Sequence, residues 1–130
     1  MNEAERRNLK IITDVCEAFN QHDAEAIVRH FADKSVWLTS RGEPPEGRRL
    51  TGKSEIRAMI GQRFEAIPDM SWEIHSHWVG GNRGASEWTV TGTEANGNVL
   101  NWLGCDLWQL DDDGRVVRKD TYWKYAGDES

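Results

Sequence analysis

Glu87 and Asp106 are the residues with which chemistry would begin. They lie on either side of Asn96-Gly97, in two stretches, Ala85 to Ala95 and Asn98 to Leu110, that alternate as strands do. Asn-Gly between such runs signals a hairpin, and a two-residue turn sets Ala95 opposite Asn98. Counting back, Glu87 then faces Asp106, Thr89 faces Gly104 and Thr91 faces Trp102. Carboxylates placed directly opposite each other repel, more so when buried, and such a pair shares a proton that raises one pKa. A carboxyl held neutral in this way donates a hydrogen bond, which suits work on a carbonyl or enolate oxygen.

The same register leaves Trp88, Val90, Leu103, Cys105 and Leu107 on the opposite face. That face is the more apolar, so periodicity alone makes it the core and puts Glu87 and Asp106 in water. A half-barrel sheet removes the conflict if its concave side holds a pocket under helices and a second copy covers its convex side. The alternation does not choose between these arrangements.

A third carboxylate, Asp120, lies on the last strand-like stretch, Val116 to Tyr125. Unbroken alternation from Val116 puts Arg118, Asp120 and Tyr122 on one face; a bulge would send Lys119, Thr121 and Trp123 inward instead. We take the regular strand, with Asp120 inward, against a surface carboxylate paired with Lys119 or Arg118. His75 and His77 sit two apart with no third ligand at a useful spacing, so no metal site is expected. Arg48 and Arg49 would meet an anionic substrate at a pocket mouth or simply lie in a solvated loop. Cys16 has no activating neighbour in sequence and reads as core. Neither a Ser-His-Asp set nor a dinucleotide fingerprint occurs, and no cofactor is expected.

The elements that must position these groups come in two halves. Leu9, Ile12, Cys16 and Phe19 form one helical stripe, ended at Asn20-Gln21-His22. Asp23 caps a second, short helix bearing Ile27 and Phe31. Ser35 to Thr39 is a short strand, and Arg41 to Arg49, with two prolines and two glycines, is a loop. A third helix after Gly52 carries Ile56, Met59, Ile60, Phe64 and Ile67 and stops at Pro68. Four antiparallel strands follow, the first with Trp72, Ile74, Ser76 and Trp78 on one face, joined at Gly80 to Gly84, Asn96-Gly97 and Asp111 to Gly114. The order α-α-β-α-β-β-β-β predicts an α+β fold, with three helices packed in the concave face of a strongly curved antiparallel sheet.

The chain's 130 residues suit one domain, 1–130, able to bury a core unaided. Its net charge of −6 disfavours nucleic acid or an anionic membrane as partner. The charged start, Met1 to Lys10, does not read as a secretory signal, and a cytoplasmic setting is expected. Seven tryptophans outnumber the three phenylalanines and two tyrosines together, enough indole for pocket walls and an interface as well as core.

Ser86-Glu-Trp-Thr-Val-Thr-Gly-Thr93, Gly104-Cys-Asp-Leu-Trp108 and Asp113-Gly-Arg-Val-Val-Arg-Lys-Asp120 resemble the C-terminal half of SnoaL-like proteins, a branch of the nuclear-transport-factor-2-like superfamily. Ala18-Phe-Asn-Gln-His-Asp23 and Phe31-Ala-Asp33 resemble its start. The resemblance spans nearly the whole chain and implies an α+β cone with the Asp106 face inward. Asp106 matches the protonated Asp of ketosteroid isomerases; their base and Tyr donor would fall near Thr39 and Val15, so steroid isomerisation is not implied. The Asp-Arg-Asp set of limonene-type epoxide hydrolases has no counterpart around Glu87. SnoaL-type cyclases use an acid/base Asp on the final strand, for which Asp120 is the nearest match. The resemblance therefore implies a small cofactor-independent enzyme of enolisation, cyclisation or isomerisation on a hydrophobic carbonyl compound, or a non-catalytic binding or dimerising module. In the first case Asp120 moves the proton, Asp106 donates to the enolate with Glu87 keeping it neutral, and Trp37, Trp102, Trp108 and Tyr122 contact the ligand. A homodimer through Trp88, Val90, Leu103 and Leu107 completes the expectation.

Overall fold

The described residues of the computed structural model are 1–125; the end of the expected domain, 126–130, lies outside them. The elements run α1 (Glu3–Asn20), α2 (Ala24–Val28), β1 (Phe31–Leu38), β2 (Arg49–Thr51), α3 (Gly52–Ala66), β3 (Ser71–Gly80), β4 (Arg83–Thr93), β5 (Val99–Leu110) and β6 (Val116–Trp123). Asn2 and Glu5 cap α1 reciprocally, and the Asp23 carboxylate accepts the Ala26 amide at the start of α2.

The six strands form one sheet in the order β2-β1-β6-β5-β4-β3, and the fold is α+β with helices packed on the sheet. Two details depart from the expected order. β1 begins at Phe31, which leaves the second helix short, and it pairs parallel to β6, making the sheet mixed. The stretch expected to be all loop ends in β2, which pairs with the end of β1. One core, containing Ile12, Val15, Phe19, Ile27, Phe31, Ile56, Ile60 and Trp108, fills the space between helices and sheet. A second, smaller one gathers Met70, Trp88, Val90, Leu100 and Trp102 at the β4–β5 end.

Three irregularities decide which side chains enter the space under the helices. The hairpin loop has three residues, Ala95, Asn96 and Gly97: the Glu94 amide donates to Asn98 O, and Gly97 (φ +88°) donates to Glu94 O. Left-handed glycine at the third place makes a turn with a bulge instead of a two-residue turn. Thr93 consequently pairs with Val99, Glu87 with Cys105 and Ser86 with Asp106. The expected Glu87–Asp106 pairing is thus off by one residue, which in a sheet reverses a face. In β3, Ile74 pairs with Trp88 but Ser76 with Glu87, so His75 is the extra residue of a bulge. In β6, Val116 pairs with Leu110 but Arg118 with Gln109, so Val117 is the extra residue. That bulge turns Asp120 away from the helices and Lys119, Thr121 and Trp123 toward them.

Candidate active site

Asp106, Lys119 and Thr121 meet on the inner face, where β5 and β6 set Asp106 directly opposite Thr121 and Trp108 opposite Lys119. The Lys119 ammonium lies 3.0 Å from Asp106 Oδ1, with the two side chains only 5% and 6% exposed. Thr121 Oγ1 donates to the same Oδ1 at 2.7 Å and accepts from Lys119 Nζ at 3.0 Å and Trp37 Nε1 at 2.9 Å. Two donors on its lone pairs leave that hydroxyl one direction for its proton, toward Asp106. On the other side Trp88 Nε1 donates to Asp106 Oδ2 at 2.9 Å. A carboxylate accepts about four hydrogen bonds. Three are made, so Oδ2 keeps a free lone pair.

Lys119 is boxed by aromatic rings, 4.1 Å from the Trp37 centroid, 4.9 Å from Phe19 and 5.7 Å from Trp108. Burial pushes the amine below the usual lysine range, and the charge and hydrogen bond of Asp106 oppose that shift. Of its three N–H groups, two are directed to Asp106 and Thr121. A cation and an anion, each with one position to spare, share one floor.

That floor closes a hollow walled by Cys16, Phe19, Trp37, Trp72, Ile74 and Trp88, with Arg63 and Trp123 toward the mouth. Its empty space is about 420 Å³ counted with the mouth. The enclosed part is tight, with room for about one water molecule. Beneath it, Ser86 Oγ accepts from Trp108 Nε1 at 2.9 Å and lies 2.7 Å from His77 Nδ1. Cys16 Sγ reaches the same hydroxyl, and burial pushes its thiol up to about 12, so it holds its proton and is no nucleophile.

Of the residues expected to act, Asp106 is in the hollow and Trp37 lines it. Trp108 lies behind Lys119, and Trp102 sits in the second core, edge-on to Trp123 at 5.1 Å. Several expectations are corrected. Glu87 points out of the far side of the sheet, where Ser76 and Trp78 donate to it and hold its carboxyl below the usual range. It therefore does not face Asp106, whose charged neighbour on the inner face is Lys119. Asp120 is on that far side too, bonded to Arg118 and Tyr122 at 3.3 Å each. Tyr122 goes with it, 54% exposed. Trp88 and Val90, expected on the outer face, are buried under the helices. The bulge at His75 also parts the histidines, His75 bonding Thr89 on the outside and His77 bonding Ser86 within.

A model of the SnoaL-like domain matches residues 12–119. The chain belongs to the SnoaL-like family. Its fold is shared with a candidate SnoaL-like polyketide cyclase from Jannaschia sp. CCS1 (TM-score 0.82, 13% identity, 95% of this chain and 90% of that one). A nuclear-transport-factor-2-like protein of unknown function from Mesorhizobium loti is similar at TM-score 0.79 and 22% identity, over 96% and 97% of the two chains. The epoxide hydrolase/cyclase-like enzyme SalBIII, of pyran ring formation in the polyether salinomycin, is similar at TM-score 0.77 and 17% identity, over 92% of each. At such identities the likeness is one of fold. No curated protein matches the sequence significantly.

Within this SnoaL-like frame the residues that sequence reasoning passed over as actors are Lys119, Thr121 and Trp88. The signal for the first two was the doublet Val116-Val117. Two adjacent β-branched apolar residues opening a strand mark a break in strict alternation, and the break decides which half of the strand faces in.

Proposed function

We propose that this SnoaL-like protein is a small acid/base enzyme, working without a cofactor, that enolises a hydrophobic carbonyl compound and so isomerises or cyclises it. The observation that carries the reading is the Asp106–Lys119 pair, 3.0 Å apart and buried at the floor of an indole-lined hollow. Asp106 Oδ2 takes the proton from the carbon next to the carbonyl. The charge passes to the carbonyl oxygen, where the remaining Lys119 N–H donates to it. Return of the proton from Asp106 to another carbon is isomerisation; attack of the enolate carbon on a second carbonyl, whose oxygen then takes the proton back from Asp106, is ring closure. Thr121 and Trp88 orient Asp106, Trp37 anchors Thr121, and Trp72 and Ile74 offer apolar wall.

The competing reading is a carrier that changes no bond, favoured by the three partners Asp106 already has. Exchange of carbon-bound hydrogen separates the two. An enzyme incubated in D2O with a panel of aryl ketones deuterates the position next to the carbonyl, and Asp106→Asn lowers that rate by about 10²–10⁴, the usual worth of a positioned base. Exchange at the buffer rate for the whole panel would leave the carrier.

We further propose a homodimer through the outer sheet face. Trp78, Leu103, Leu107 and Tyr122 are all well exposed there, an apolar surface that a partner would cover. The two free cysteines fit a reducing, cytoplasmic setting. No described helix is long and apolar enough to cross a membrane.

A further inference from the structure

The mouth of the hollow is cationic, in a chain whose net charge is −6. Arg63 lines the hollow, and Arg41 and Arg63 together line an adjoining recess with Glu94, Leu100 and Trp123. Arg41 lies over the rings of Trp102 (4.9 Å) and Trp123 (5.3 Å), and Arg63 over Trp123 (5.9 Å). Arg49, Arg57, Arg115 and Arg118 have carboxylate partners, and among the described residues Arg6, Arg7, Arg29 and Arg83, spread over the rest of the chain, have none. Among the described residues Arg41, Arg48 and Arg63 have none within 4.0 Å, although Glu94 is close enough to favour the charge on Arg63. Burial, then the charges of Arg41 and Arg48, lower the pKa of Arg63. Trp123, which lines both spaces, has a buried Nε1 that makes no hydrogen bond.

Three like charges held around one partly dry recess, with Glu94 the one carboxylate that lines it, are destabilising until a further anion enters. Stacking on indole fixes the Arg41 guanidinium in place, so little freedom is lost when it forks onto a carboxylate. Trp123 belongs to the hollow and the recess alike, so a molecule on the Asp106–Lys119 floor extends naturally into the arginines.

We propose that Arg41, Arg63 and Trp123 Nε1, with Arg48 behind them, form a carboxylate-binding subsite, and that the substrate is an oxo acid. Its carboxylate sits at the mouth, its apolar body along Trp72 and Ile74, and its carbonyl over Lys119. The carbonyl placement rests on the enolisation reading; the anion subsite does not.

The probe pair is 4-oxo-4-phenylbutanoate and its methyl ester, with binding followed by tryptophan fluorescence and calorimetry on the whole protein. The acid binds at least about tenfold tighter than the ester, the effect of one charge-assisted contact. The preference shrinks in 0.5 M salt, and Arg41→Gln, on an exposed loop, loses most of it. Arg41→Gln/Arg63→Gln erases it, while Arg63→Lys retains part. Equal affinity for acid and ester, no binding of either at millimolar concentration, or a preference that survives the double variant overturns the subsite. An acid preference without deuterium exchange would instead overturn the enolisation reading and leave the subsite standing.

Discussion

Replacing Lys119 by Met isolates what the buried pair contributes to folding, and the structure sets the size of the effect. At 3.0 Å and an effective dielectric of about 20, the gross attraction is about 5–6 kcal/mol. Desolvation of both ions cancels much of that, but removing one partner leaves the other charged and buried, which costs about 3–5 kcal/mol. Lys119→Met strands the Asp106 carboxylate with only Thr121 and Trp88, and Asp106→Asn strands the ammonium among aromatic rings. Independent losses would sum to about 6–10 kcal/mol in the double variant. The double variant has no stranded charge, however; its main defect is the Thr121 hydroxyl proton, which loses its acceptor once the new amide oxygen takes the Trp88 N–H and the amide nitrogen faces Thr121, about 1–3 kcal/mol. It should therefore be more stable than either single variant, with a coupling energy of at least about 3 kcal/mol. Urea unfolding at pH 7, followed by tryptophan fluorescence, reads this as midpoints lowered by roughly 1–3 M in the single variants and partly restored in the double. Additive losses, or single variants within about 1 kcal/mol of the parent, would refute the reasoning, because the two groups could not then be a dry, mutually dependent pair. A double variant that folds well yet has no activity would show the pair is kept for chemistry.

Glu87 should titrate below the 4.5 of a free glutamate, because Ser76 and Trp78 donate to its ionised form. Its stabilising contribution is thus present above 4.5 and lost as pH falls through the lower folded value; Glu87→Gln should flatten the acid limb of the stability curve, and an NMR titration above 4.5 would restore the carboxylate pairing. Gly104→Ala places a methyl 2.5 Å from the Trp88 ring and 2.6 Å from Tyr122 O. A loss of about 1–3 kcal/mol is expected, together with reduced activity as Trp88 shifts off Asp106; unchanged urea midpoints would contradict that packing. Leu107→Glu, on the outer face, should turn a sedimenting dimer into a monomer and leave the fold intact; a parent that sediments as monomer at micromolar concentration would count against the dimer.

The helices, their caps and the succession of strands were legible in the sequence because they rest on redundant signals. The α1 stripe of Ile12, Cys16 and Phe19 or the cap at Asp23 survives an error of one residue. The site was legible only in part, because a sheet has period two and one residue reverses everything. Asn96-Gly97 announced the hairpin, yet whether two or three residues form its loop is set by hydrogen bonds at Glu94 and Asn98. That single residue separates Glu87 from Asp106. The bulge at Val117 exchanges Asp120 and Tyr122 for Lys119, Thr121 and Trp123, and the bulge at His75 moves Trp78 outward and His77 inward. Such bulges are local choices made by the packing of neighbouring strands, with Gly104 leaving room for the Trp88 ring. Asp106 was placed inward by family resemblance, since alternation alone sent it to solvent. The arginine mouth is assembled from a loop and a helix far apart in sequence, and no spacing rule brings Arg41 to Arg63.

The most direct measurement is the deuteration rate of an aryl oxo acid in D2O by the parent, Asp106→Asn, Lys119→Met and Asp120→Asn proteins. The account predicts a fall of at least about 10² in the first two variants and a rate within twofold of the parent in the third, because Asp120 lies behind the sheet. Full exchange in Asp106→Asn beside collapse in Asp120→Asn would contradict it.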